Sequence, residues 1–172
     1  SPAETDEMFM HVAQRCGGIE PLLESFFGFL HRRTDFYVLH EGKEGVTYLV
    51  KDRDGLPLAM KVFRKTKSPV TLRNEADLQQ TAAVQGAAPK VVEVDTVMKT
   101  IVMERMDRHL LDVLLTNMSL SESQQRGIVR LFNRLDDAGV FHGDSNLLNY
   151  MLRGKKIYLI DYGMSKLIDD NF

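Results

Sequence analysis

Apolar positions along this chain change their spacing near residue 37, from a helical period to short β-rich runs. Met8, Phe9, Val12 and Ala13 fall on one helical face, and Gly17-Gly18 interrupts it. A second helical segment opens near Ile19 with a broad face of Leu22, Leu23, Phe26, Phe27, Phe29 and Leu30. It closes on His31-Arg32-Arg33, cations suited to the negative end of a helix. Beyond it, Val46–Val50 and Leu58–Phe63 read as two strands joined by the turn Asp52-Arg53-Asp54-Gly55. Ser68-Pro69 predicts a capped helix start, with the helix running to about Gln85 and stopping at Gly86. Strands are expected over Val91–Val94 and Thr100–Met103, and a short helix over Leu110–Leu115. Ser121 with Gln124 forms a capping-box pattern. The helix behind it carries Ile128, Leu131, Phe132 and Leu135 and ends at Gly139. Two last strands, Tyr150–Leu152 and Ile157–Ile160, flank the turn Arg153–Lys156.

With 172 residues, 44% of them hydrophobic and 27% charged, the composition is that of a globular domain rather than a disordered segment. A net charge of −2 gives no global attraction to nucleic acid or to an anionic membrane surface, and neither is expected as a partner. No apolar run approaches the roughly 20 residues of a membrane span, and the acidic start lacks the basic flank of a signal peptide. Cys16 is the single cysteine, so an internal disulfide is excluded and an intracellular, cytoplasmic or nuclear setting is expected. The chain begins without Met, and its native ends are expected to lie outside it.

Four features bear chemistry, and they come in one order. Gly42 and Gly45 lead into a strand, where glycine lets backbone amides approach phosphate closely. Alone, such a pair is more often only a turn. Lys61 lies on the next strand and can hold phosphate oxygens as a point charge, and Glu75 on the following helix can fix its ammonium. Separately, each reads as a surface residue. In His142-Gly143-Asp144-Ser145-Asn146-Leu147-Leu148-Asn149, an aspartate precedes an asparagine by five positions on a loop entering a strand. One can accept a hydroxyl proton while the other binds a hard cation. Asp161 then leaves the apolar strand beside Tyr162-Gly163.

Together these residues resemble the protein-kinase superfamily over roughly residues 38–168. The resemblance implies an α+β fold: a five-stranded antiparallel N-lobe sheet with an αC helix, and a much reduced helical C-lobe, preceded by an N-terminal helical segment. It implies ATP and Mg²⁺ as cofactors. Gly42 and Gly45 match the nucleotide loop, Lys61 the strand lysine, and Glu75 its helix partner. Met103 matches the gatekeeper, with Glu104 and Met106 in the hinge that holds adenine. Asp144 matches the catalytic aspartate, while Asn149 and Asp161 match the metal ligands. The departures are His40 for the first loop glycine, Thr47 for a valine, Gly143 for an arginine, Asn146 for a frequent lysine and Tyr162 for phenylalanine. His-Gly-Asp is similar to the small atypical kinases of the KEOPS complex and to aminoglycoside and choline phosphotransferases. The sequence stops nine residues after Gly163, so no activation segment or Ala-Pro-Glu motif is present in it.

Residues 8–37 also resemble the N-terminal helical segment of NudC-type cofactors, carried by Phe26-Phe27-Gly28-Phe29-Leu30 and Thr34-Asp35-Phe36. That implies an interaction or dimerisation element. The expected organisation is a NudC-like segment over 5–37, a kinase N-lobe and hinge over 38–106, and a truncated C-lobe over 107–172. The expected activity is phosphorylation of serine or threonine on protein. Two other readings stay open: a pseudokinase or nucleotide-binding scaffold, and a small-molecule kinase. A short lower lobe also predicts exposed apolar surface around Phe132 and Leu135, covered by a partner or by a second copy in a homodimer.

Overall fold

The computed structural model describes residues 11, 14, 15, 17, 18, 44–144 and 146–168, together with the backbone of 37–41. The helical segment expected over 5–37 lies, but for isolated positions, outside the described residues, as does Gly42. The chain divides into Ser1–Tyr37 and Val38–Phe172, and the description that follows is of the second unit.

This unit is a mixed α/β structure built on antiparallel pairings. Strands β1 (Tyr37–Glu41), β2 (Gly45–Lys51), β3 (Pro57–Phe63), β4 (Val91–Asp95) and β5 (Thr100–Glu104) form a five-stranded sheet in the order β1-β2-β3-β5-β4. The β2–β3 hairpin turns where expected. Asp52 Oδ1 accepts from the amides of Asp54 and Leu56 at 2.9 and 2.8 Å, and Gly55 supplies φ +82°. Register pairs Thr47 with Lys61 and Lys61 with Ile101, so Lys61 stands on the central strand.

Helix α1 (Pro69–Val84) connects β3 to β4. Ser68 caps it, its hydroxyl accepting from the Thr71 amide at 3.1 Å, and Pro69 fills the first turn where no N–H is needed. Its far end closes through Gly86 at φ +71°, whose amide reaches Ala83 O at 2.9 Å. The helix is buried on two sides. Leu72 and Ala76 join Ala59, Phe63, Ile101 and Met103 in a core beneath the sheet. Leu78, Ala82 and Ala83 enter a second core.

After β6 (Arg108–His109), that second core is shared with α2 (Leu110–Asn117), α3 (Glu122–Asp137), β7 (Val140–Phe141), β8 (Tyr150–Arg153) and β9 (Lys156–Leu159). The capping box of α3 forms as expected: the Gln124 amide donates to Ser121 Oγ at 3.3 Å, and the Ser121 amide to Gln124 Oε1 at 2.9 Å. β6, β8 and β9 form a three-stranded sheet, and β10 (Lys166–Leu167) pairs with β7. These two-residue strands β6, β7 and β10 were not expected, because two residues carry no readable period. The exposed apolar surface expected around Phe132 and Leu135 is corrected in part. Leu135 is 2% exposed inside the core, whereas Phe132 is 39% exposed and sets its ring edge against Tyr150. Only the outer flank of α3 is therefore left uncovered by the described residues.

Candidate functional site

Strand alternation decides where Lys61 points. Ala59, Lys61 and Phe63 share one face of β3, and the first and last of these are buried beneath the sheet. Lys61 must therefore lead its ammonium along that face to the edge of the core. On α1, Leu72, Glu75, Ala76 and Gln79 follow the i, i+3, i+4, i+7 spacing of a buried stripe, and all four are buried. Glu75 thus meets Lys61 under the sheet, Nζ to Oε1 at 2.8 Å. The same ammonium reaches Asp161 Oδ1 at 2.9 Å, from 100 positions further along the chain. It also lies 4.7 Å from the centre of the Phe63 ring.

A second lysine enters the cluster. Lys67, in the turn before α1, donates to Glu75 Oε2 at 2.8 Å and to Glu44 Oε2 at 3.0 Å. Glu75 is 2% exposed and uses one oxygen for each lysine. Burial alone would push the Lys61 ammonium down; the charges and hydrogen bonds of Glu75 and Asp161 outweigh it and hold the pKa above its ordinary value. Burial likewise would raise the Asp161 carboxyl. Lys61, the Gly163 amide and Lys67 outweigh that effect and hold it below the usual aspartate value. Both groups are therefore charged at neutral pH.

The loop Asp144–Asn149 carries two further expected site residues, Asp144 and Asn149. Asp144 Oδ1 accepts from the Asn146 amide at 3.0 Å and Oδ2 from Asn149 Nδ2 at 2.8 Å. Asn146 in turn caps a single 3₁₀ turn, Leu147–Asn149, through its Oδ1 and the Leu148 amide at 3.0 Å. The loop is tied to the strand that carries Asp161. The Ile160 amide donates to Asn149 O at 3.0 Å, and the His142 ring nitrogens lie 2.8 and 3.0 Å from the carbonyl oxygens of Asp144 and Ile160. His142 is itself buried, with its ring edge-on to Tyr162 at 4.7 Å.

Backbone geometry explains two glycines. Gly143 sits at φ +79°, and a Cβ there would come within 2.4 Å of Met164 O, so neither arginine nor alanine fits the position. Gly45 allows β2 to approach Val62, where a Cβ would lie 2.2 Å from the carbonyl oxygen. Asp161 adopts φ +66° without being glycine, the conformation in which strain concentrates at functional positions.

Of the expected site residues, Lys61, Glu75 and Asp161 converge directly, and Asp144 and Asn149 form a bonded pair whose backbone is tied to Ile160, the neighbour of Asp161. Met103 and Met106 are buried; Met103 lies on β5 opposite Ala59, with its Sδ 3.4 Å from Gln79 Nε2. Glu104 spends its carboxylate on the Lys90 amide and Arg153, at 3.2 and 3.0 Å, so any contact to a base falls to its backbone. Gly42 lies outside the described residues. Sequence reasoning missed Lys67 and Glu44, which sit in turns where no period marks which way a side chain points.

Comparison with known proteins adds to this geometry. Residues 4–61 match the family described as the N-terminal conserved domain of Nudc, a stretch that runs past the expected helical segment to Lys61. The chain is 30% identical over 132 residues to the KEOPS complex subunit Bud32 of Pyrococcus abyssi, covering 72% of this chain and 58% of that protein. The chain is similar to Bud32. It is 32% identical over 85 residues to the "Probable serine/threonine-protein kinase BUD32 homolog" of Archaeoglobus fulgidus, covering 49% of this chain and 40% of that one. It is 30% identical over 89 residues to a "Probable bifunctional tRNA threonylcarbamoyladenosine biosynthesis protein" of Methanocorpusculum labreanum, covering 52% of this chain and 16% of the relative. The chain thus spans little more than half of the Pyrococcus protein and less of the other two. These likenesses support protein-kinase homology for the chain.

Proposed function

We propose that this chain is an ATP- and magnesium-dependent phosphotransferase of the protein-kinase type, acting on serine or threonine hydroxyls of protein. In this reading the five-stranded sheet with α1 is the N-lobe, and the elements from β6 onward are a reduced C-lobe. One observation carries it: a nearly buried lysine on the central strand holds two carboxylates, one 14 and the other 100 positions away. A chance surface ion pair does not recruit groups so distant into one polar pocket.

The residues present fit the proposed cofactor. Asp161 and Asn149 offer oxygen donors of the kind hard divalent cations take, and Lys61 offers a fixed cation. Bound MgATP would supply the transferable phosphoryl group, with its charge partly neutralised by the metal. Glu75 fixes the Lys61 ammonium, so that phosphate oxygens meet an oriented donor with little reorganisation. Asp144 would accept the acceptor hydroxyl's proton, and Asn149 holds its carboxylate through the Nδ2–Oδ2 bond.

Transfer of labelled phosphate from ATP with Mg²⁺ tests the reading, with protein and small hydroxyl acceptors side by side. Asp144→Asn should lower transfer by about a hundredfold or more. Equal activity in the variant, or none in the wild type, refutes the enzyme reading. A second reading, a nucleotide-binding scaffold, is favoured by the Nudc match. It predicts thermal stabilisation by ATP without transfer. The KEOPS relatives support a protein partner for either reading. No helix among the described residues is long and apolar enough to cross a membrane, and we infer an intracellular setting.

A further inference from the structure

Two ammonium groups, Lys61 and Lys67, face three carboxylates, Glu44, Glu75 and Asp161, which bring one oxygen each within 4.8 Å of one another. The cluster therefore carries one surplus negative charge at the place where phosphate has to enter. The three acids are not equivalent. Glu75 is buried and bridges both lysines, and Asp161 is tied to Lys61. Glu44 is 44% exposed, hangs from the turn before β2, and touches Lys67 at 3.0 Å and Lys61 at 4.0 Å. Its Oε2 occupies space beside the backbone of Gly163, where a Cβ would come within 3.0 Å of it. This is a small anion position, lined by two lysines and a glycine, and filled by an acid of the chain itself. Both ammonium groups also lie over one ring, Phe63, at 4.7 and 5.1 Å, which keeps them side by side.

We propose that Lys67 is a second phosphate-contacting lysine, and that Glu44 holds its anion position until the nucleotide displaces it. The proposal rests on the phosphotransferase reading and adds to it a binding residue and a built-in competitor. Displacing Glu44 leaves two lysines against two carboxylates, so the cluster no longer repels an incoming polyphosphate. Glu44 is the acid that can leave: Glu75 is buried on α1, and Asp161 is held by Lys61 at 2.9 Å and by the Gly163 amide, whereas Glu44 sits in an exposed turn with one close contact, to Lys67. Lys67, freed of one partner and still held by Glu75, then presents its ammonium beside that of Lys61.

The test is equilibrium binding of ATP, tripolyphosphate and adenosine to the full chain, with and without Mg²⁺. Glu44→Gln should tighten ATP and tripolyphosphate by about three- to tenfold and leave adenosine unchanged, the scale of one competing charge contact. Lys67→Met should weaken the same two ligands by a comparable factor, and Lys67→Arg should restore most of the loss. In the double variant the gain from Glu44→Gln should vanish, because the competitor and its target are lost together. Wild-type ATP binding that Glu44→Gln leaves unchanged or weakens overturns the proposal while the phosphotransferase reading stands. Weakening confined to the Mg²⁺ form overturns it as well, by making Glu44 a metal ligand. Absence of ATP binding in both wild type and Glu44→Gln overturns the phosphotransferase reading itself. Thermal melts of each variant separate lost binding from lost fold, and the exposed Glu44 keeps the test decisive if Lys67→Met unfolds.

Discussion

Replacing Tyr162 by phenylalanine should stabilise the protein. The side chain is fully buried, and its hydroxyl has no hydrogen-bond partner among the described residues. An unsatisfied buried hydroxyl costs about 1–3 kcal/mol of desolvation. Removing it leaves a void of about 10–15 Å³, which at the known cavity cost takes back only about 0.3 kcal/mol. The edge-on contact with His142 belongs to the ring and survives the change. The net expectation is a gain of about 1–2 kcal/mol, seen as a rise in melting temperature of about 2–8 °C for a domain of this size. Urea unfolding followed by circular dichroism reads it directly, since the chain has no tryptophan to report by fluorescence. Burial also pushes the phenol far above its ordinary pKa, so the hydroxyl stays neutral and the gain should be the same at about pH 6 and pH 9. A midpoint that falls or does not move would mean that the hydroxyl has an internal partner, an ordered water for instance, and the desolvation argument would fail.

Gly143→Ala should cost about 2–4 kcal/mol in the same urea assay, because a positive φ and an approach of 2.4 Å to Met164 O both resist a Cβ; a loss below about 0.5 kcal/mol would mean that the turn relaxes freely. The Lys61–Asp161 pair should shape both limbs of the pH–stability curve. The Asp161 carboxyl lies lower in the folded state than its ordinary 3.8, so its contribution is full above that value and disappears as pH falls through the folded pKa. The Lys61 ammonium lies above its ordinary 10.5, so its contribution is full below that value and disappears as pH rises through the folded one. Urea midpoints across pH should therefore show a shallower acid limb for Asp161→Asn than for the wild type, and identical limbs would rule out the ion pair.

What could be read in the sequence is what is local. The Asp52–Gly55 turn, the Ser68-Pro69 start of α1 and the Ser121–Gln124 capping box each depend on a few neighbouring residues, and each appears where the pattern put it. Strand order could not be read, because the register of β3 against β5 joins residues about 40 positions apart and leaves no trace in either run. Leu135 was misjudged for a related reason. The amphipathic stripe of α3 shows that a face is buried, but the short strands that bury it carry no signal of their own.

Glu75 reads as a surface residue on its own, and the packing of its helix reverses that reading. Its position in the stripe Leu72, Glu75, Ala76, Gln79 puts a carboxylate on the face that the helix must bury. A lone buried carboxylate costs several kcal/mol, so such a placement requires a cation to arrive from another element. A strand lysine on a core-facing position meets that requirement, and β3 alternation assigns Lys61 to that face. The buried stripe calls for one cation, and the fold supplies two: Glu75 has two oxygens, and Lys67 takes the second. A carboxylate in a buried stripe therefore argues for a cationic partner in number as well as in kind. Lys67 and Glu44 become visible only when the second oxygen of Glu75 is accounted for.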